Sequence, residues 1–330
     1  MTMLDDILTL PDQLRWGIGL DAQPVRSSGP IVILGMGGSA MAASVATLAA
    51  SPRAPIVVHR GYGLPPWAAD SGAAVIAVSY SGNTEEVLSG VDAAISDRLP
   101  LAAVASGGRL EEIARERTLP YVEVPGGIQP RAAVGYQAAA VAATLGAAGQ
   151  IADVDRALGE AADVLDVLLD SGRGGAVVLG RDIADGLAGR TAVIYGGKGI
   201  GSTAAYRWKT QINENAKRPA FSGTIPEMNH NELEGWRPDA SGGFGVIYLR
   251  DEGDHPAIAR RLDLSGTVLS GAVERVGEVR SAGTGPLARF FSLSVVGDVA
   301  SVAMAEEAGI DSTEVETLEE FKVMLAKGTP

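Results

Sequence analysis

The stretch VSYSGNTEEVL, Val78 to Leu88, sets four small polar side chains, Ser79, Ser81, Asn83 and Thr84, where an apolar run gives way to a helical pattern. Hydroxyls and amides at the C-terminal end of a strand and the N-terminus of a helix make an anion cradle. The backbone N–H groups there lack partners, and the helix dipole adds positive character. Glu85 and Glu86 fall in the first turn, where that dipole favours acids. An ordinary N-cap needs only one such residue; the clustering of four points to a bound phosphate. A second loop of this kind lies upstream in ILGMGGSAMAAS, Ile33 to Ser44. Its Gly35–Ala40 segment fits the G-x-G-x-x-A dinucleotide fingerprint. That site needs an acid at the end of the following strand to hold the ribose, and IVVHRGYG offers His59 and Arg60 instead. Three readings follow: an NADP-type site using the arginine, a purely structural tight turn, or a loop for a smaller phosphate.

The elements that must position these loops are visible in the hydrophobic pattern. Ile31–Leu34, Ile56–His59, Ala74–Ser79, Leu101–Ala105 and Tyr121–Val124 read as strands. Several are unbroken apolar runs, as expected of parallel strands covered on both faces. Thr84–Ile95 and Arg109–Arg117 supply crossover helices, and Arg131 to Leu169 reads as Ala-rich helix broken near Gly149. The rhythm then restarts, with strands expected at Ala176–Leu179, Ala192–Tyr195, Gly245–Leu249 and Val273–Val276 and a helix over Leu287–Ala308. VIYGGKGIGSTAA (Val193 to Ala205) echoes VILGMGGSAMAA (Val32 to Ala43), with Ser202 in the place of Ser39. The echo and the restart predict two similar α/β domains, 1–152 and 153–330.

Composition narrows the function. A formal charge of −13 over 330 residues opposes binding to nucleic acid or an anionic membrane, while leaving room for a phosphate held by backbone N–H groups. The absence of cysteine removes disulfides and thiolate metal sites. MTMLDDILTLPDQ carries acids where a signal peptide needs basic residues, and no apolar run reads as long enough to span a membrane, so a cytoplasmic protein is expected.

GMGGSA followed by SYSGNTEE resembles the sugar isomerase (SIS) domain, a doubly wound α/β module that binds phosphosugars. PRAAVGY (Pro130 to Tyr136), NENAK (Asn213 to Lys217), EMNHNELEGW (Glu227 to Trp236) and the C-terminal LEEFKVML extend the match over nearly the whole chain. As an ordered set they resemble the bifunctional phosphoglucose/phosphomannose isomerases, which have two SIS domains. The resemblance implies a homodimeric isomerase of glucose, mannose and fructose 6-phosphates with no metal or other cofactor. Gly38, Ser39, Ser79, Ser81 and Thr84 would then hold the substrate phosphate.

Aldose–ketose isomerisation moves a proton between C1 and C2 through an enediolate, so it needs a base, an oxyanion stabiliser and groups that open the sugar ring. Glu214 is expected near the end of a helix over Ser202–Lys217, where the negative end of the dipole makes a carboxyl harder to ionise. From the residues alone it could equally be a solvated glutamate paired with Lys217; the resemblance makes it the base. His230 is one of three histidines, in a polar loop with Glu227, Glu232 and Glu234. A metal site there lacks a second histidine, and a surface histidine is the plain alternative. The resemblance implies a ring-opening His230 contributed across the dimer interface. Lys322 shares a helical face with Val315, Leu318 and Leu325, so it must snorkel out of a buried apolar stripe or meet an anion; the resemblance puts its ammonium in the active site. Arg131, otherwise a surface residue at a helix start, would stabilise the enediolate. Gly196–Thr203 is expected to be mainly structural. Two rivals remain: a sugar-phosphate-binding or regulatory SIS protein without turnover, which needs none of the proton-transfer groups, and an NADP-dependent oxidoreductase.

Overall fold

The structure is a computed structural model that describes residues 2–25, 29–170, 175–239 and 242–326. The first half contains α1 (Met3–Leu8), α2 (Leu10–Trp16), β1 (Ile31–Leu34), α3 (Gly37–Leu48), β2 (Ile56–His59), β3 (Ala74–Val78), α4 (Glu85–Ser96), β4 (Leu101–Ala105), α5 (Gly108–Glu116), β5 (Tyr121–Glu123) and α6 (Val134–Ala147). The second contains α7 (Val154–Asp170), α8 (Ala176–Gly186), β6 (Thr191–Gly197), α9 (Ile200–Asn215), β7 (Ala220–Ile225), β8 (Phe244–Arg250), α10 (Pro256–Leu269), β9 (Glu274–Arg280), α11 (Pro286–Glu307) and α12 (Glu316–Ala326).

Both sheets are parallel throughout, in the orders β2-β1-β3-β4-β5 and β7-β6-β8-β9. Each chain segment leaves its first strand to one side and then crosses to the other. The loops after β1 and β3, and after β6 and β8, therefore flank a topological switch point, where a crevice opens beyond the strand ends. β1, β3 and β4 are buried at every residue, which is why they read as unbroken apolar runs. One face of the first sheet packs on α3 and α6, the other on α4 and α5.

In the second half α11 is the central element. It is long and apolar enough to cross a membrane by length and composition, contrary to the expectation from the hydrophobic pattern, but 94% of the qualifying window is buried inside the protein. It is a core helix with α7, α8 and α9 around it, and Trp208 of α9 donates its indole N–H to the Leu293 carbonyl at 2.9 Å.

Ala176–Leu179, expected as a strand, is the first turn of α8. A window of four apolar residues suits a buried strand and a buried helix equally. The longer spacing decides it: Ala176, Gly180, Ile183 and Ala184 form one buried helical face, and Gly180 brings α8 close to Val296 and Val299 of α11. β7 is absent from the expected strands. It is an edge strand whose residues are mostly part-exposed, with Phe221 open to solvent, so it has no apolar run to announce it.

Candidate active site

The two loops singled out in the sequence meet at the switch point of the first sheet. Ser39, in the first turn of α3, is buried; its Oγ donates to Gln137 Oε1 at 2.7 Å and accepts the Tyr80 N–H at 3.1 Å. That single hydroxyl ties the glycine loop to the serine loop and to α6. Ser79 Oγ lies 2.8 Å from Thr84 Oγ1 and accepts the Thr84 N–H at 3.4 Å. Ser81 is exposed and accepts the Asn83 N–H at 3.3 Å. Asn83 in turn accepts the Arg109 N–H at 3.0 Å, which binds the loop to the start of α5. Gly82 takes φ +69° and passes so close to the Gly107 carbonyl that no side chain would fit. The loop is thus a fixed turn rather than a flexible cap, with Ser39, Ser79 and Thr84 gathered at its mouth.

Arg131 joins this cradle to the second half. A Cβ on Gly38 would lie 3.0 Å from the Pro130 carbonyl, so glycine lets its loop press against the segment carrying Arg131. The arginine is buried, and its Nη1 lies 3.8 Å from Glu214 Oε2. Glu214 is the penultimate residue of α9, its side chain 30% exposed. Burial holds its carboxyl above the ordinary value, against Arg131 foremost and then Arg207, Lys217 and Lys322, which pull it down. The negative end of α9 pushes in the same direction as burial.

Lys217, weighed in the sequence as a partner for Glu214, does not pair with its carboxylate. Its Nζ donates to the main-chain carbonyls of Glu214 at 2.7 Å and Glu314 at 2.6 Å. It takes φ +55° just beyond the helix, a conformation that favours glycine, and these two bonds hold it there. Together with Glu214, Asp311, Glu314 and Leu318 it lines a cleft of ≈ 660 Å³ between the end of α9 and the start of α12.

Lys322 corrects an expectation. It lies on α12, but the apolar stripe it shares is not buried in this chain: Leu318 and Leu325 are exposed and Val315 only half-buried, and Lys322 is exposed with Phe321, Val323 and Met324 around the same helix. The Lys322 charge still acts on the Glu214 carboxyl, behind Arg131, Arg207 and Lys217.

His230 is not brought to the site. It is exposed in a 3₁₀ turn, Glu227–His230, anchored by buried Met228 and by Asn229, which donates to Ser265 Oγ at 2.7 Å. Glu232 accepts the Tyr195 hydroxyl at 2.7 Å. Glu214 lines its cleft beside Pro219, ahead of β7, whereas His230 follows the other end of that strand. Six strand residues separate the two ends, about 20 Å of chain axis.

The corresponding crevice of the second sheet has opposite chemistry. Where the first sheet has Ser79–Thr84, β8 is followed by Asp251, Glu252 and Asp254. Asp251 is buried and pairs with Arg289 Nη1 at 2.7 Å, while Asp254 packs its carboxylate onto the Gly197 backbone. Ser202, the echo of Ser39, does not cross to a neighbouring strand; it caps α9 by accepting the Gly199 N–H at 3.1 Å. Burial, then the nearby Asp251, pushes the Asp254 carboxyl up to about 6. Its folded pKa is therefore raised, so its stabilising effect is present below about 4 and is lost as pH rises through about 6. Asp254→Asn, which cannot titrate, should melt about 2 °C above wild type at pH 7.5, with the difference gone by pH 4. Parallel melts across that range check this.

Two parallel switch-point sheets, a serine-threonine cradle in one and a carboxylate beside an arginine between them define a protein of the SIS class. Residues 178–325 match the family described as the bacterial phospho-glucose isomerase C-terminal SIS domain. The chain is 33% identical over 337 residues to a bifunctional phosphoglucose/phosphomannose isomerase of Caldicellulosiruptor bescii, covering 98% of this chain and 99% of that one. It is 35% identical to the protein of the same description from Aquifex aeolicus, covering 96% of each. The fold is also that of a hypothetical protein from Thermus thermophilus, with TM-score 0.74 at 15% identity over 98% of this chain and 90% of that one. The chain belongs to the bifunctional phosphoglucose/phosphomannose isomerase family.

Proposed function

We propose that this chain interconverts glucose 6-phosphate and mannose 6-phosphate with fructose 6-phosphate. The observation that carries the reading is the Glu214–Arg131 pair, packed through Gly38 against the serine-threonine cradle. The substrate phosphate is held by Ser79, Ser81 and Thr84 with N–H groups near Gly38; the Ser39 hydroxyl, expected to bind it, has its proton committed to Gln137 and instead ties the two loops together. Glu214 removes the proton from C2 of the open aldose; the C–H electron pair becomes the C1–C2 double bond, and the carbonyl oxygen becomes an oxyanion facing Arg131. The hydroxyl proton on O2 passes to O1, the electron pair it leaves closes the C2=O bond, and the C1–C2 double-bond pair takes the proton back from Glu214 at C1, giving the ketose. Binding alone would need no carboxylate held above its ordinary pKa beside a buried guanidinium, which sets this reading above a regulatory sugar-phosphate sensor.

His230 and Lys322 open the sugar ring, with His230 supplied by a second copy of the chain in a homodimer. The reading is supported by the separation of His230 from Glu214 within one chain, by the apolar surface left exposed along α12, and by the open edge of β7 with Phe221 upon it. A cytoplasmic location remains part of the proposal.

A coupled assay with glucose 6-phosphate and mannose 6-phosphate, run in EDTA, tests the activity. Turnover of both sugars is expected, unchanged by the chelator. No turnover of either sugar would overturn the isomerase reading, and loss of activity in EDTA would return a metal to the site.

A further inference from the structure

Arg131 is useful to an enediolate only if one edge of its guanidinium is free and aimed. Arginine has five N–H donors in a rigid plane, and here four groups constrain that plane. Nη2 donates to the carbonyls of Ser312 at 2.7 Å and Thr313 at 2.9 Å, Nη1 gives one bond to Gln129 Oε1 at 3.3 Å, and Nε donates to Asn215 Oδ1 at 2.7 Å. The remaining Nη1–H is on the side of Glu214, 3.8 Å away, too far for a hydrogen bond, so it is left for a substrate oxygen lying alongside the pair.

The Asn215 amide is itself oriented. It is wholly buried, and its Nδ2 donates to Ser301 Oγ at 2.9 Å, while Ser301 donates to the Asp298 carbonyl at 2.7 Å. The serine proton is thereby committed, so its oxygen must accept and the amide NH₂ must face it. A flipped amide would set its NH₂ against the Nε–H of Arg131, donor to donor. Arg207, buried against Asp298, donates to the Arg131 carbonyl at 3.2 Å and fixes the backbone beneath the guanidinium. Asn215 follows Glu214 directly, so consecutive residues at the end of α9 hold the carboxylate and orient the arginine opposite it.

We infer that Asn215 is a positioning residue of the reaction: by accepting from Nε it aims Nη1 at the reacting oxygen, and Ser301 sets its amide. The inference rests on the isomerase reading with Arg131 at the oxyanion. It is tested by steady-state kinetics on fructose 6-phosphate. Asn215→Leu, similar in size but without the acceptor, should lower kcat by about a hundredfold, since a small misplacement of a catalytic group has that scale of effect. KM should stay within about threefold because the cradle is untouched. Asn215→Asp, which restores an acceptor to Nε, should recover kcat to within about tenfold of wild type. The decisive arm is Arg131→Lys, which keeps a cation but has no Nε–H. In that background Asn215→Leu should cause no further loss of kcat.

An equal loss in both backgrounds would overturn the inference, since it would show a structural effect independent of Arg131. So would a raised KM with unchanged kcat. Ser301→Ala removes only the bond that orients the amide. Its smaller loss of kcat, absent in Arg131→Lys, reads out the same dependence on the arginine should the leucine variant not fold. Inactive wild-type protein would instead count against the isomerase reading itself, so the two failures are distinct.

Discussion

Glu214→Gln is expected to cut kcat by about a thousandfold with KM changed by no more than a few-fold, because a general base contributes on that scale and the phosphate is held elsewhere. Glutamine is nearly isosteric, so the contact with Arg131 is kept in shape while the proton acceptor is lost. The pH profile carries a second signature. Burial keeps the Glu214 carboxyl above its ordinary 4.5, so the wild-type acid limb of kcat/KM should fall above that value, and the residual activity of the variant should lack it. The sign for stability follows from the same shift. A carboxyl whose folded pKa is raised stabilises the fold below its unfolded value and loses that effect as pH rises through the folded one. The charged base is thus a burden on the fold at neutral pH, and Glu214→Gln should melt above wild type at pH 7.5 and level with it near pH 4, a stability gained where activity is lost. Full activity in the variant would remove Glu214 from the role of base.

Mixing two inactive variants should restore activity. If His230 completes the site of the partner copy, His230→Ala and Glu214→Gln each disable both sites of their own homodimers. A hybrid dimer gathers both defects in one site and leaves the other intact. Random exchange makes half of the dimers hybrid, so roughly one site in four is whole, and the mixture should reach about a quarter of wild-type activity after refolding together. The fold sets up this test, because His230 lies on the far side of β7 from Glu214, about 20 Å along the strand axis. A refolded mixture as inactive as its parents would place His230 outside the partner's site.

Much of the first half can be read from the sequence because its information is local. The three central strands of the first sheet are continuous apolar runs, and the cradle residues stand within a few positions of one another at the ends of two such strands. The second half is harder where the deciding contacts are distant. Ala176–Leu179 resembles a strand until its packing on α11 is known, and β7 has an edge strand's mixed character. Arg131 and Glu214 are 83 positions apart, and no periodicity announces that they meet. The amides of Gln137 and Asn215 have no signal of their own: each is an ordinary helical residue until the hydroxyl of Ser39 or the Nε of Arg131 gives it a partner. Lys322 misleads for a related reason, since an apolar stripe predicts a cover that the rest of this chain does not supply.

The acids that fill the second crevice have a consequence for ligand stoichiometry. Asp251, Glu252 and Asp254 stand where the first sheet has hydroxyls, so the proposed function predicts one sugar phosphate bound per chain despite its two related halves. The halves have divided the labour along their shared architecture. The first keeps the anion-binding end of its sheet open, while the second neutralises that end with its own side chains and offers the opposite end of the equivalent helix, where Glu214 stands. On the proposed function, substrate would bridge unlike ends of two like modules, and exchanging one module for a copy of the other would leave either two cradles without a base or a base without a cradle.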